Sequence, residues 1–286
     1  MTRVSTWPWT AGERSEALSD WLGPWLRHRG QIPATGYEFS CRFGPDGAWP
    51  DRLLLALDPA PMRTEKGAQL LSDWDMPDGL KHSWQQDARY AKQFLMAAQA
   101  SHDRVERRAY LGFGTEEHPL MPGLVMRGYK WCKGRERVSD YWRVPVSAQQ
   151  LLQQGALSSG LPIQAEAVWG VLMQVLQTAW VRDQGVDHIE LWAVTEAATA
   201  RGSVCLRLYE TGLCVADVAH ALKRLTTLWP SCALVCEKTL QALGPRALGW
   251  LAAGTDGAGL PFMTIYCEAG PQDVQSLLEV SGVAYA

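Results

Sequence analysis

Polar and apolar positions along this chain follow two spacings, one near two residues and one near 3.6, and they alternate in a recurring order. Residues 37–43 (YEFSCRF) alternate like a half-buried strand, GPDGAWPD follows as a turn, and Arg52 opens the apolar run RLLLAL. This predicts a β-hairpin. Residues 65–74 and 83–100 then carry helical spacing, the second with Trp84, Tyr90, Phe94 and Leu95 near one face. Strand patterns return over 108–115 with 124–131, over 189–209 and over 248–266. Helical patterns cover 11–28, interrupted or ended near Gly23-Pro24, then 147–154, 165–184, 216–228 and the segment from Pro271. The stretch CKGRERVSDYWR, residues 132–143, reads as an exposed polar connection.

The order is thus hairpin then helices, found four times at irregular intervals. Connections of this length cross one face of a sheet, and antiparallel hairpins placed side by side close into a barrel that removes open edges. The predicted class is α+β: one domain over residues 1–286, an antiparallel barrel of at least four hairpins with its helices outside. Function belongs to polar residues on the face that the helices leave uncovered.

A repeated spacing singles out candidates. A Ser or Thr stands 12 residues before an Arg at Ser40 and Arg52, at Thr115 and Arg127, and at Thr195 and Arg207. Tyr129 and Tyr209 follow two of these Arg residues by two positions, and a shorter fourth copy runs from Thr255 to Thr264-Ile265-Tyr266. Residues i and i+2 of a strand share a face, so each copy sets a cation or hydroxyl beside a phenol ring. Such residues suit the surroundings of an anionic ligand. The alternative for each Arg is an outward pairing with a helix carboxylate.

Composition narrows the partners. A net charge of −3 and a pI near 6.1 give no overall attraction to nucleic acid. No run reaches the length of a membrane span, and the first residues lack the apolar core of a signal peptide, so a cytoplasmic location is expected. Seven scattered Cys fit reduced thiols, and Cys232 with Cys236, the close pair, has no second pair to complete a metal site. Of the 14 Trp, several fall in helical segments where they pack onto a sheet, whereas Trp131, Trp192 and Trp250 fall in strands facing either core or cavity.

Glu38-Phe39-Ser40-Cys41-Arg42, with Arg52 fourteen residues after Glu38, resembles the cyanobactin prenyltransferases, which belong to the ABBA prenyltransferases. The similarity extends over most of residues 36–282, including Trp250 to Tyr266 and the Pro-Gln-Asp-Val helix start at Pro271. It implies a barrel of αββα units that moves an isoprenyl group from an allylic diphosphate, such as dimethylallyl diphosphate, to a side chain or terminus of a ribosomal peptide. Arg52, Arg127 and Arg207 would then bind the diphosphate with assistance from Mg²⁺. Tyr129, Tyr209 and Tyr266, with Trp250, would shield the allyl cation. Glu38 would orient the acceptor and take its proton. A small-aromatic prenyltransferase and a non-catalytic isoprenoid or peptide binder are the alternatives. The family usually has five ββ units, and four are legible here, so the first and last hairpins are expected either to pair directly and close a smaller barrel or to form a homo-oligomer or heteromer through an open barrel edge.

Overall fold

The computed structural model describes residues 15–101, 104–114, 117–145, 147, 150–152, 166–182 and 189–280. Ten strands run β1 Ala34–Gly44, β2 Gly47–Leu57, β3 Gln93–Ser101, β4 Arg104–Gly112, β5 Leu124–Cys132, β6 Arg135–Arg143, β7 Glu190–Glu196, β8 Gly202–Arg207, β9 Leu248–Thr255 and β10 Pro261–Ala269. The described helices are α1 Ser15–His28, α2 Pro59–Met62, α3 Glu65–Asp73, α4 Asp78–Ala88, α5 Glu166–Arg182, α6 Ala219–Leu228, α7 Ala233–Leu243 and α8 Pro271–Val280. The strands close a barrel in the order β1-β10-β9-β8-β7-β6-β5-β4-β3-β2. The expected antiparallel barrel with outer helices is therefore present.

It contains five hairpins rather than four, and two strands account for the difference. The helical spacing over 83–100 divides into α4, which ends at Ala88, and β3. β3 (QFLMAAQAS) is rich in residues that favour helix, yet it pairs with β2 and with the full length of β4. Pairing on both sides overrides the local preference. The polar connection at 132–143 contains β6, which follows β5 through Lys133 and Gly134, both at positive φ (41° and 76°). Two consecutive left-handed residues give the tight reversal that suits the twist of a hairpin. Strands β4 and β5, read from sequence as one hairpin, belong to two successive ones.

Further readings are refined. α1 continues through Pro24 to His28 instead of ending there. The helix expected over 147–154 lies mostly outside the described residues, as does Thr115. α8 starts at Pro271 as expected, with the Gly270 N–H donating to Asp273 Oδ2 at 2.7 Å. All seven Cys carry reduced thiols outside any disulfide, and burial pushes that of Cys236 up to about 11. No described helix is long and apolar enough to cross a membrane.

The chain falls into two compact units. One comprises Phe39–Pro50 and Tyr141–Glu268, and the other comprises the segment ending at Glu38, Asp51–Asp140 and the segment beginning at Ala269. In the first, Leu206, Leu251 and Ile265 pair across β8, β9 and β10 with no exposed surface. Cys41 Sγ of β1 accepts the Thr239 hydroxyl of α7 at 3.6 Å, so odd positions of β1 face that helix. α5 buries Val171, Leu172, Val175, Leu176 and Ala179 completely. Each such aliphatic side chain stabilises the fold by about 1.5–3 kcal/mol, less for Ala. In the second unit, Trp131 of β5 donates its Nε1–H to the Trp74 carbonyl just after α3 (3.2 Å), and the two rings meet edge to face at 5.5 Å. Odd positions of β5 thus meet the helices, and even positions face the barrel interior.

Candidate functional site

The second unit gathers charge on its inward face. The register Gln99–Glu106 across β3 and β4, and Ala97–Arg108–Lys130 across β3, β4 and β5, places Glu106, Arg108 and Lys130 on one surface. Tyr110, opposite Gly128, continues it. Arg52 stands two residues before Leu54, which pairs with Ala97, so it shares that face, and it is buried. Arg108 donates from Nε to Glu106 Oε1 at 2.7 Å and from Nη2 to Gln99 Oε1 at 2.6 Å. Arg137 of β6 pairs with the other Glu106 oxygen. Burial works to raise the Glu106 carboxyl, but Arg108, Lys130 and Arg137 outweigh it and hold the group at about 2. Three cations thus converge on one carboxylate, and Arg guanidinium groups bind phosphate oxygens with paired charge-assisted hydrogen bonds.

Arg127, expected at the diphosphate, and Tyr129, expected in the cation shield, lie elsewhere, which corrects the sequence reading. Arg127 points to the helices: Nη1 donates to Asp87 Oδ2 of α4 at 2.8 Å, and Nε donates to Asp140 Oδ1 of β6 at 2.6 Å. Burial opposes its charge, but Asp140 and Asp87 raise its pKa above the ordinary value. The Tyr129 hydroxyl donates to the same Asp87 oxygen at 2.7 Å, and its ring meets Trp84 edge-on at 5.3 Å. Burial first, then Asp87, pushes this phenol well above its usual range. The cause is topological. Arg52 and Arg207 lie on the second strand of their hairpins, whereas Arg127 lies on the first strand of its own, so equal spacing from a Ser or Thr does not mean an equal face. The inward cation of β5 is Lys130.

In the other unit, Arg207 pairs across the strands with Trp250, and Trp250 with Tyr266, on the side opposite the Leu206–Leu251–Ile265 ladder. Arg207 forms ion pairs with Glu210 (2.6 Å) and Glu190 (3.7 Å). Trp192 and Trp250 lie 4.4 Å apart between centroids. Tyr209 is not in a strand: it opens a short 3-10 turn and meets Trp250 edge to face at 6.5 Å. A Cβ on Gly249 would sit 2.4 Å from the Tyr209 ring, so a glycine there lets the ring approach. Glu38 is half-buried on β1, on the face shared with Ser40 and Arg42 and opposite Cys41.

Sequence reasoning missed Glu106, Arg108, Lys130 and Arg137. The alternation Glu106-x-Arg108-x-Tyr110 was a visible signal, lost because its strand was begun at Arg108. Among the described residues no group of three or more His, Cys, Asp and Glu forms a metal site. Glu106, already engaged by cations, does not fit a magnesium ligand.

No family model and no curated protein sequence matches the chain. The fold is similar to that of NotF prenyltransferase in two solved structures. One is NotF in complex with brevianamide F and DMSPP, at 12% identity over 82% of this chain and 80% of that chain, with a TM-score of 0.51. The other, of NotF prenyltransferase, is 13% identical over 82% of this chain and 81% of that chain, with a TM-score of 0.50. At this identity the likeness speaks for the fold.

Proposed function

We propose that this barrel transfers an isoprenyl group from an allylic diphosphate to an aromatic nucleophile. The observation that carries the reading is the inward convergence of Arg108, Lys130 and Arg137 on Glu106, with Arg52 on the same face, in a fold shared with a prenyltransferase. Ionisation breaks the allylic C–O bond, and its electron pair leaves with the diphosphate. The leaving group carries about three negative charges, which converging cations stabilise as they develop. Tyr110 beside Arg108 offers a π face to the allyl cation, which attracts it without bonding to it. The nucleophile's π electrons form the new C–C bond, and its ring proton passes to a base, the role we assign to Glu38.

Trp192, Trp250 and Tyr266 of the other unit present aromatic surface. This surface supports an aromatic acceptor, either a small molecule or an aromatic side chain of a peptide. Among the described residues of the cation cluster no group of carboxylates is set to hold magnesium.

The test has two arms. Titration with pyrophosphate should show binding that weakens in Lys130→Ala by about 10- to 100-fold, the loss of one charge-assisted hydrogen bond. Mass spectrometry of incubations with five- and ten-carbon allylic diphosphates, indole acceptors and Trp-containing peptides should show addition of one isoprenyl group. Absence of pyrophosphate binding would overturn the reading. Binding without transfer to any acceptor would leave an isoprenoid binder.

A further inference from the structure

Between α2, α3 and α4 of the second unit lies a cavity of about 520 Å³ that prenyl transfer does not use. Its walls follow from helical spacing. Glu65, Ala68 and Leu71 stand three apart on α3, and Lys81, Trp84 and Ala88 follow at steps of three and four on α4, so each set shares one helix face. Met62, Leu71, Trp84 and Ala88 are buried and form an apolar floor. Ala68 and Ala88 are the small members of the two stripes, and larger side chains there would fill the space. The volume falls in the range of small-molecule sites, about 300–1,000 Å³.

Above the floor the lining is cationic: Arg63, Lys81 and Arg89 face one carboxylate, Glu65. Arg63 donates from Nη2 to the Ala91 carbonyl, and its guanidinium lies over the Phe94 ring, 5.6 Å from the centroid. Ala91 is two residues past Arg89, so this bond brings the two Arg residues to one side of the cavity. Arg89 in turn stacks over the Tyr90 ring at 4.6 Å. Neither forms an ion pair among the described residues, so rings and a carbonyl steady two guanidinium groups without neutralising them. Lys81 does pair, with Asp78 at 2.7 Å. That pair apart, two positive charges meet the single charge of Glu65 and leave an excess of one.

The charge balance selects the ligand. A diphosphate carries more negative charge than this excess and meets Glu65 as a like charge, whereas a neutral molecule leaves the excess uncompensated. A single carboxylate matches it, and guanidinium groups bind carboxylate oxygens with charge-assisted hydrogen bonds. We propose that the cavity binds a monocarboxylate with an apolar tail, its head held by Arg63 and Arg89 and its tail laid over Met62, Leu71 and Trp84. The site rests on its own residues and is independent of the prenyl-transfer reading.

Titration calorimetry with octanoate and with 1-octanol, which share a chain and differ in charge, provides the test. The wild-type protein should bind octanoate about tenfold more tightly or better, and added salt should weaken octanoate alone. Arg89→Gln should lower octanoate affinity about tenfold, the loss of one charge-assisted contact. Glu65→Gln deletes the opposing carboxylate and should raise it about threefold. Both change exposed residues, so they carry the test even where Ala68→Phe, which fills the cavity and should abolish binding of both probes, does not fold. Equal affinity for the two probes, or octanoate binding that Arg89→Gln and Glu65→Gln leave unchanged, would overturn the proposal. Displacement of octanoate by pyrophosphate would overturn it too, by placing the probe at the inward cations. Binding to phosphatidylglycerol vesicles without binding of octanoate would make the surface a membrane contact instead. Octanoate binding with no pyrophosphate binding sinks prenyl transfer and leaves this site standing, whereas the converse sinks this proposal alone.

Discussion

At the residue scale, the carboxylate of Asp87 decides what Arg127 and Tyr129 are for. It accepts from both, and His118 Nε2 lies 3.5 Å from its other oxygen, between the rings of Tyr90 and Phe113. Arg127→Ala leaves two carboxylates in a largely buried site uncompensated and should cost about 3 kcal/mol of stability in chemical denaturation. Pyrophosphate affinity per folded molecule should not change; a selective loss of affinity would return Arg127 to the anion site. His118 is held below its ordinary pKa, chiefly by burial, so protons bind the unfolded chain first. Stability should therefore fall as pH drops below about 6.5, and His118→Gln should flatten that slope. Glu106 is likewise depressed, from 4.5 to about 2. Its contribution, on the order of 3 kcal/mol, is present above pH 4.5 and lost as pH falls toward 2. Glu106→Gln should remove this acid-side loss and, by deleting the competing carboxylate, tighten pyrophosphate binding.

At the element scale, each inward residue is set by its strand's register, and a shift of one position exchanges Lys130 for Arg127 or Tyr129. Register in turn rests on a few backbone positions. Gly254 has φ 139° and its Cβ position is filled by the backbone of Gly202 and Ser203. Gly254→Ala should cost about 1–3 kcal/mol and speed amide exchange in β8 and β9, whereas an unchanged melting temperature would mean the strands tolerate a side chain there. Gly134→Val places a β-branched residue at φ 76° in the β5–β6 turn and should lower stability by about 1–2 kcal/mol. β3 and β6 were illegible at this scale for different reasons. One carries helix-favouring residues, and the other, RERVSDYWR, carries charge on both faces, Arg137 toward Glu106 and Asp140 toward Arg127.

At the scale of the whole molecule, closure removes the open edge that four hairpins would have left, and with it the reason to expect association through strands. Hydrogen exchange followed by mass spectrometry should find residues 39–43 and 262–267 slow; fast exchange in both would contradict closure. The sequence by itself determined the class, because period-two runs punctuated by turns and separated by helical spacing leave few other arrangements. It also determined the start of α8 at Pro271. Only the tertiary structure decided how many strands close the barrel and which face each one turns inward. A period of two states that alternate residues share a side without saying which side, and neighbours distant in sequence settle it: Asp87 draws Arg127 and Tyr129 outward, while Arg108 and Glu106 sit across from and beside Lys130 within.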